Sequence, residues 1–404
     1  MNATPDLESS SLAVVTLWQL FVLAALPQPL RERLVHATHT LVELPHGRPT
    51  AGQKSMTRGR RPAGPGGLRR LAPGLLAGLV MLSACESTPT KPTPSPAPEE
   101  SGTGFQNPVH DSNFPDPMIV EGADGSYLAI ATNGNGSNVQ TLTSTDLISW
   151  EQGPDALPRL PTWSSPGKVW APEIEIRADG RYLLYYTTRG PHPDVQCISV
   201  AIGSEPQGPF VDHSSAPLMC EEGQGGSIDP DPFTASDGRR YLYWKNDGNA
   251  IGVDTYISGQ QLDRSGMKLT GRPKRLFKQD LPWEGNLVEA PFAWEHNGKV
   301  HMFYSANAYD SDAYAVGHAI ADNPLGPFTK SGDPVLVSND AAAGPGHCAL
   351  FETDGRVWMV YHAWPPDSIG PEYPGRTMWL SEVTFIPDGS VQVVPPTVNY
   401  PTRP

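Results

Sequence analysis

The chain has 404 residues and a formal net charge of −14 at pH 7. This excess of acidic residues argues against a nucleic-acid partner, because phosphate binding needs a basic surface. Helical periodicity is weak, and 44 prolines and 40 glycines imply many turns. That composition is typical of an all-β protein.

The first segments of the chain have the composition of an export signal and a tether. Residues 1–55 are an extension to which the sequence assigns no role, and Met56 is a natural alternative start. Residues 56–85 combine arginines, an apolar run and small residues, as export signals do. They end in Leu-Ser-Ala-Cys at Cys85, which resembles a bacterial lipobox. We therefore expect lipid on Cys85, with an ordinary secretory signal as the alternative.

Residues 86–104 are rich in proline, serine and threonine. Such a segment is extended and does not pack into a core. Together with the preceding signal, it predicts a bacterial cell-surface lipoprotein, or otherwise a secreted protein.

The remainder of the chain contains a short phrase that returns five times, an Asp-Gly or Asn-Gly pair followed by an aromatic and aliphatic run. The pairs start at Asp124, Asp179, Asp237, Asn297 and Asp354, which are 55, 58, 60 and 57 residues apart. Asp-Gly and Asn-Gly favour type I′ hairpins. A strand-rich repeat of about 50 residues predicts a propeller with one four-stranded blade per repeat. We therefore expect a five-bladed β-propeller over residues 105–400, with the segment 144–150 in an outer-strand position of the first blade.

An ionisable residue lies six to eight positions upstream of each pair. These residues are Asp116, Glu173, Asp229, Glu289 and His347. Equivalent positions on the innermost strands of a propeller face one central channel, so the five side chains are predicted to converge. Crowded charges raise each other's energy. A fold does not need such a cluster, which points to a reaction.

Three of these residues suggest the type of reaction. Asp116, Asp229 and Glu289 have apolar neighbours in sequence, and a proline follows each within two positions. Two carboxyl groups on opposite sides of a sugar hydrolyse a glycosidic bond, one as acid and one as base. A third carboxylate keeps the acid protonated through like-charge repulsion. No Ser/His/Asp pattern for acyl transfer is apparent.

The same motifs resemble glycoside hydrolase family 43 over residues 105–395. They are Phe114-Pro115-Asp116-Pro117, Trp170-Ala171-Pro172-Glu173, Ser227-Ile228-Asp229-Pro230, Val288-Glu289-Ala290-Pro291 and Gly344-Pro345-Gly346-His347. The resemblance implies a five-bladed propeller that cleaves arabinose- or xylose-containing polysaccharides with inversion. It assigns Asp116 as general base, Glu289 as general acid and Asp229 as the residue that orients the acid and raises its pKa. Ala290 stands where the family often has glycine.

The resemblance also suggests substrate-binding residues. Arg376 matches a family arginine in the substrate pocket, with an ordinary surface arginine as the alternative. Trp170 and Phe114 are candidates for stacking on sugars, and Glu173 is expected to line the funnel. His347 lies either near a structural calcium in the central channel or in a hydrogen-bonding role towards Asp229 or the substrate. The chemistry itself requires no cofactor.

Three activities share these carboxyl groups. The absence of an appended β-sandwich favours an α-L-arabinofuranosidase, with β-xylosidase and endo-arabinanase as alternatives. A catalytically inactive propeller that binds glycans is the alternative from another class. The expected partner is a carbohydrate (arabinan, arabinoxylan or xylo-oligosaccharide), and the expected state is a monomer without nucleic acid. Cys197 and Cys220 are the candidate disulfide pair, and Cys348 is predicted to be a buried structural thiol.

Overall fold

The computed structural model describes residues 104–122, 124–190, 192 and 195–404. The predicted extension 1–55, the signal 56–85 and nearly all of the tether 86–104 lie outside the described residues. The described residues form five antiparallel sheets in chain order, together with one two-stranded sheet. No helix among them is long and apolar enough to cross a bilayer.

The five sheets are numbered here as blades I to V. Blade I contains β2 (Met118–Glu121), β3 (Tyr127–Ala131), β4 (Gln140–Ser144) and β5 (Glu151–Gln152). Blade II contains β6 (Ser165–Ile176), β7 (Tyr182–Arg189) and β8 (Gln196–Gly203). Blade III contains β9 (Ser227–Thr234), β10 (Arg240–Asn246), β11 (Tyr256–Leu262) and β12 (Leu269–Lys278). Blade IV contains β13 (Val288–His296), β14 (Lys299–Ala306), β15 (Ala315–Ala321) and β16 (Thr329–Lys330). Blade V contains β17 (Ala343–Thr353), β18 (Arg356–Trp364), β19 (Thr377–Phe385) and β20 (Val391–Val393).

The first strands of the blades form a closed ring. The strands β2, β6, β9, β13 and β17 contact one another in that order, and β17 contacts β2 again. The second strands are near-continuous apolar runs buried on both faces, because each blade packs between two neighbours. The chain ends meet in the small sheet, where β1 (Phe105–Gln106) pairs with β21 (Asn399–Tyr400). The five-bladed propeller predicted from the repeat is confirmed.

The hairpin loops that follow the first strands are of two types. In blades IV and V, the Asn297-Gly298 and Asp354-Gly355 pairs both have positive φ and link directly paired residues, as type I′ turns require. In blades I to III only the glycine has positive φ, and the loop is one residue longer. The prediction of type I′ turns is therefore wrong for these three blades, because a three-residue loop needs one left-handed residue and not two.

This difference in loop length sets the phase of the channel residues. Each first strand, or in blade I the segment just before β2, has one non-glycine residue with positive φ. It lies six positions before the last residue ahead of the hairpin loop. These residues are Asp116, Ala171, Asp229, Ala290 and His347, with φ between 46° and 57°. Counting back from the Asp-Gly pairs thus selects the left-handed residue in blades I, III and V. In blade IV it selects Glu289, one position before the left-handed Ala290. In blade II it selects Glu173, two positions after the left-handed Ala171.

Two local predictions about the outer strands are corrected. Residues 144–150 are not an outer strand of blade I, because the Asp146 carboxylate accepts hydrogen bonds from the backbone N–H groups of Ile148 and Ser149 and folds the segment into a turn. The outer strand is the short β5, which follows it. Blade II has three strands, and its outer position is reduced to two isolated bridges, Ile202 with Val211 and Ile198 with Met219.

The predicted disulfide is present in blade II. Cys197 on β8 is bonded to Cys220, with a Cα–Cα distance of 4.6 Å. Cys348 on β17 is a free thiol and is buried. Burial raises the pKa of the Cys348 thiol far above its usual value. This thiol is therefore neutral and structural, as expected.

Candidate active site

One pocket of about 330 Å³ opens at the end of the channel. All five blades contribute to it, and the sequence-predicted residues among its lining are Asp116, Trp170, Asp229, Glu289, His347 and Arg376. Residues far apart in the chain therefore surround a single space. Three of them are carboxylic acids, and their environments differ.

Asp116 is held as a carboxylate. Its side chain is 9% exposed, and Arg376 Nη1 donates to Oδ1 at 2.8 Å. Thr132 Oγ1 donates to Oδ2 at 2.5 Å, and His347 Nδ1 lies 3.4 Å from Oδ1. Burial alone would raise the pKa of Asp116, but the charges of Arg376 and His347 outweigh it and hold this pKa well below its usual range. Asp116 is thus ionised and able to accept a proton.

His362 supports Asp116 from below the pocket. Burial and the charge of Arg376 lower the pKa of His362 to about 4, so the ring is neutral. Its Nδ1 atom accepts the backbone N–H of Asp116 at 3.1 Å. This bond holds Asp116 in its left-handed backbone conformation, which is uncommon for a residue other than glycine.

Asp229 differs from Asp116 in that its pKa is raised. Burial raises the pKa of Asp229 to about 6; His347 and Lys245 oppose the shift, whereas Glu289 and Asp116 add to it. Its Oδ2 atom accepts the backbone N–H of Ala290 at 3.0 Å. Because Ala290 directly follows Glu289, this bond fixes the backbone that carries the predicted acid.

Glu289 is held through both carboxyl oxygens. Tyr314 donates its hydroxyl to Oε1 at 2.8 Å, and Lys245 Nζ lies 3.0 Å from Oε2. Lys245 is 1% exposed and also lies 3.6 Å from Asp247 Oδ1. Burial lowers the pKa of Lys245, but Glu289, Asp229 and Asp247 more than compensate and raise it. The lysine is therefore a buried cation beside Glu289.

Two predicted residues do not line this pocket. Glu173 lies two positions beyond the left-handed Ala171, where burial and the nearby Asp231 raise its pKa well above the usual range. Its Oε2 atom has no hydrogen-bond partner among the described residues. Phe114 is 1% exposed and packs in the core, so it offers no ring face to a sugar. Its backbone N–H instead binds the carbonyl oxygen of Arg376 at 2.8 Å.

The remaining predictions concern Trp170, Arg376 and His347. Trp170 lines the pocket, with Lys168 Nζ 5.6 Å from its ring centroid. The guanidinium of Arg376 lies over the Tyr309 ring at 4.8 Å. His347 contacts Asp116, and no group of three or more His, Cys, Asp or Glu side chains in the described part of the chain is arranged to hold a metal ion. The structural calcium near His347 that the resemblance implies stays a prediction.

Sequence reasoning missed several pocket or support residues, among them Thr132, Lys245, Tyr314 and His362. None belongs to a recognisable motif. Lys245 left one signal, because a charged residue directly follows the apolar run 241–244 inside a strand. The register of the second strands is needed to see that it faces the channel.

An ionised aspartate and two further carboxyl groups around one pocket supply the groups that glycoside hydrolysis requires. The family model for glycosyl hydrolases family 43 matches residues 105–391, and the chain belongs to this family. It is a glycosidase that hydrolyses O-glycosyl bonds.

The chain is similar to several characterised proteins. It is 27% identical over 281 residues to the β-D-galactofuranosidase xynD of Aspergillus niger, covering 65% of this chain and 77% of that protein. It is 28% identical over 351 residues to an extracellular exo-α-(1→5)-L-arabinofuranosidase of Streptomyces avermitilis, covering 80% and 68%. A crystal structure of a thermostable family-43 glycoside hydrolase superposes with a TM-score of 0.67 at 29% identity, covering 73% of this chain and 97% of that one.

Proposed function

We propose that the protein is an inverting α-L-arabinofuranosidase that removes terminal arabinose from arabinan or arabinoxylan. The observation that carries this proposal is the division of labour among the carboxyl groups. Asp116, in blade I, is held ionised by Arg376. Glu289 lies in blade IV, where Tyr314 and Lys245 hold its two carboxyl oxygens. Hydrolysis of an acetal needs one carboxylate as general base and a second carboxyl group as general acid, and we assign these roles to Asp116 and Glu289.

In this mechanism, Asp116 takes a proton from water as the water oxygen attacks the anomeric carbon. The bond to the leaving oxygen breaks, and its electron pair remains on that oxygen. Glu289 transfers its proton to the same oxygen, so the products are a free sugar and an alcohol. Asp229 binds the backbone N–H of Ala290 and keeps Glu289 in place throughout. Attack from the face opposite to the leaving group inverts the anomeric centre.

Two observations support arabinofuranose as the sugar. The pocket volume of about 330 Å³ is at the small end of the range for ligand sites, about 300–1,000 Å³, which suits one terminal sugar ring. The two relatives described above are both named as furanosidases, one for galactose and one for arabinose. A β-xylosidase of Xylanibacter ruminicola, at 24% identity, keeps xylosides among the substrates to be tested.

An endo-acting arabinanase is the second candidate. A depression of about 710 Å³ adjoins the pocket and shares Tyr309 and Arg376 with it. A groove of this size would hold further sugar units of a chain that continues past the pocket. Fungal relatives at 27% identity are named as probable arabinan endo-1,5-α-L-arabinosidases.

A product profile on linear arabinan, branched arabinan and arabinoxylan distinguishes these activities. Release of arabinose alone from the start supports the exo activity, and early formation of oligosaccharides supports the endo activity. Xylose from xylo-oligosaccharides would identify a β-xylosidase instead. Asp116→Asn serves as the control, since any activity from the pocket must disappear in it. Binding of these polymers without turnover by the wild-type protein would contradict the proposal.

The proposal extends to the site of action. An extracellular relative and the signal-like segment 56–85 both support export, with lipid attached to Cys85. Expression of the full chain in a bacterium tests this. The wild-type protein should partition with membranes, and Cys85→Ser should move it to the soluble fraction. Equal partitioning of both proteins would contradict lipid attachment.

A further inference from the structure

Lys245 interrupts a pattern that the other blades share. In each blade, one residue lies opposite the residue that precedes the left-handed position. It belongs to the second strand or directly follows that strand. In four blades this residue is a hydrogen-bond acceptor for the next blade. The pairs are Thr132 Oγ1 with Ala171 N at 2.8 Å, Thr187 Oγ1 with Asp229 N at 3.0 Å, Ser305 Oγ with His347 N at 2.8 Å and His362 Nδ1 with Asp116 N at 3.1 Å.

In blade III the equivalent residue is Lys245, which pairs with Ile228. An ammonium group has three donors and no acceptor, so it cannot bind the backbone N–H of Ala290. That N–H is bound by Asp229 Oδ2 instead. The lysine side chain is then free to reach Glu289 Oε2 at 3.0 Å. The pattern therefore changes at the one blade interface that carries the predicted acid.

A lysine at this position destabilises the folded state more than a neutral acceptor would. A buried ammonium loses its hydration, and Lys245 is 1% exposed. A threonine or serine of ordinary size fills the same position in three other blades. The carboxylates of Glu289 and Asp247 compensate the charge, but a hydroxyl would need no compensation. The packing of neighbouring blades therefore does not explain why a cation is present at this position.

We propose that Lys245 is a positioning residue for the reaction, acting through Glu289. Its ammonium group fixes one carboxyl oxygen while the Tyr314 hydroxyl fixes the other. As Glu289 transfers its proton to the leaving oxygen, a carboxylate forms 3.0 Å from the ammonium group, and the cation stabilises that developing charge. The inference rests on the proposed glycosidase mechanism and assigns to it a residue outside the three carboxyl groups.

The test is the Lys245→Met variant, assayed across pH on an activated nitrophenyl arabinofuranoside and on arabino-oligosaccharides. A nearby cation favours the charged form of a carboxyl group, so without it the alkaline limb of kcat/KM should move to higher pH. Turnover of the oligosaccharide should fall by about 10- to 100-fold, and turnover of the nitrophenyl substrate should fall less, because its leaving group needs little protonation. Lys245→Arg should keep the wild-type limb.

The matched control is Lys330→Met. Lys330 is 9% exposed and lies 2.6 Å from Glu284, so it is a similar ion pair away from the pocket. This variant should lose stability but keep the wild-type pH profile. If Lys245→Met does not fold, Asp247→Asn gives the reverse test, because removing this anion leaves Lys245 with only Glu289 and Asp229 as charge partners and strengthens its effect on Glu289. The alkaline limb should then move to lower pH.

An unmoved limb in Lys245→Met, or in Asp247→Asn if the first variant does not fold, overturns the inference. Equal losses on both substrates do the same, since they indicate a structural role alone. Failure of the proposed function looks different: the wild-type protein itself would then hydrolyse none of the arabinosides and xylosides.

Discussion

Replacing Arg376 by methionine tests how the site keeps Asp116 ionised. The guanidinium donates to the Asp116 carboxylate at 2.8 Å, and both side chains are largely buried (16% and 9% exposed). For charge centres about 4 Å apart at an effective dielectric constant of about 20, the attraction is ~4 kcal/mol. At ~1.4 kcal/mol per unit, this corresponds to about three pKa units. Water that enters the space left by the side chain and the remaining His347 reduce the effect, so we expect a rise of about 1–2 units in the pKa of Asp116.

The sign of the effect on activity follows from the role of a base. Asp116 accepts a proton only when ionised, so activity is lost as pH falls through the pKa of Asp116. In Arg376→Met this loss should occur at higher pH. The assay is the acidic limb of kcat/KM on a nitrophenyl arabinofuranoside.

Arg240→Met is the control for the acidic limb. Arg240 lies 3.6 Å from Glu175 with similar burial but does not line the pocket, so its variant should keep the wild-type limb. Arg376→Lys should show a smaller shift than Arg376→Met because it retains the charge. An acidic limb that stays in place in Arg376→Met would refute the reasoning.

Three further predictions follow from the same contacts. Glu289→Gln should reduce turnover of natural arabinosides by about 10²–10⁴-fold and turnover of nitrophenyl substrates much less; equal losses in steady-state kinetics would argue against Glu289 as the acid. Glu173→Gln should raise Tm by about 2 °C at pH 8 and leave it nearly unchanged at pH 4. Burial raises the pKa of Glu173 in the folded state, so the wild-type protein loses stability as pH rises above the pKa of this group in the unfolded chain. Equal changes at both pH values in thermal unfolding would contradict this. Replacing Cys197 and Cys220 by serine should cost about 3 kcal/mol for a loop of 23 residues, as measured by denaturant unfolding, and an unchanged midpoint would show that the bond contributes nothing.

The repeat in the sequence was sufficient to predict the fold. Each of the five Asp-Gly or Asn-Gly pairs that an aromatic and aliphatic run follows marks a hairpin between the first and second strands of a blade, so the number of repeats equals the number of blades. The local turn type was less predictable, because the same dipeptide serves loops of two and three residues. The difference depends on the backbone conformation of the first residue of the pair, which its identity does not determine.

The site was predictable where its residues lie in motifs next to the turns. The structure brings Asp116, Asp229 and Glu289 to one pocket, and their catalytic roles remain predictions. Glu173 was placed in this group by its distance from a turn, but it lies two positions deeper on its strand. The position of Glu173 relative to the channel depends on the left-handed backbone of Ala171, which the sequence does not reveal.

The second strands were the part of the site that sequence reasoning could not reach. Thr132, Lys245 and His362 act across blade boundaries, and each lies in or next to a run of apolar residues. Their importance depends on which blades are neighbours and on the register between strands. Once the register is known, Lys245 is the one cation in a row of acceptors.

The stereochemistry of the first product tests the central claim most directly. Proton NMR of a fresh reaction with an α-L-arabinofuranoside follows the anomeric proton of the released sugar before mutarotation. If Asp116 activates water on the face opposite to the leaving group, the β anomer of arabinose appears first. Initial release of the α anomer would mean that a carboxylate attacks the sugar directly, and the assignment of Asp116 as a general base would be wrong.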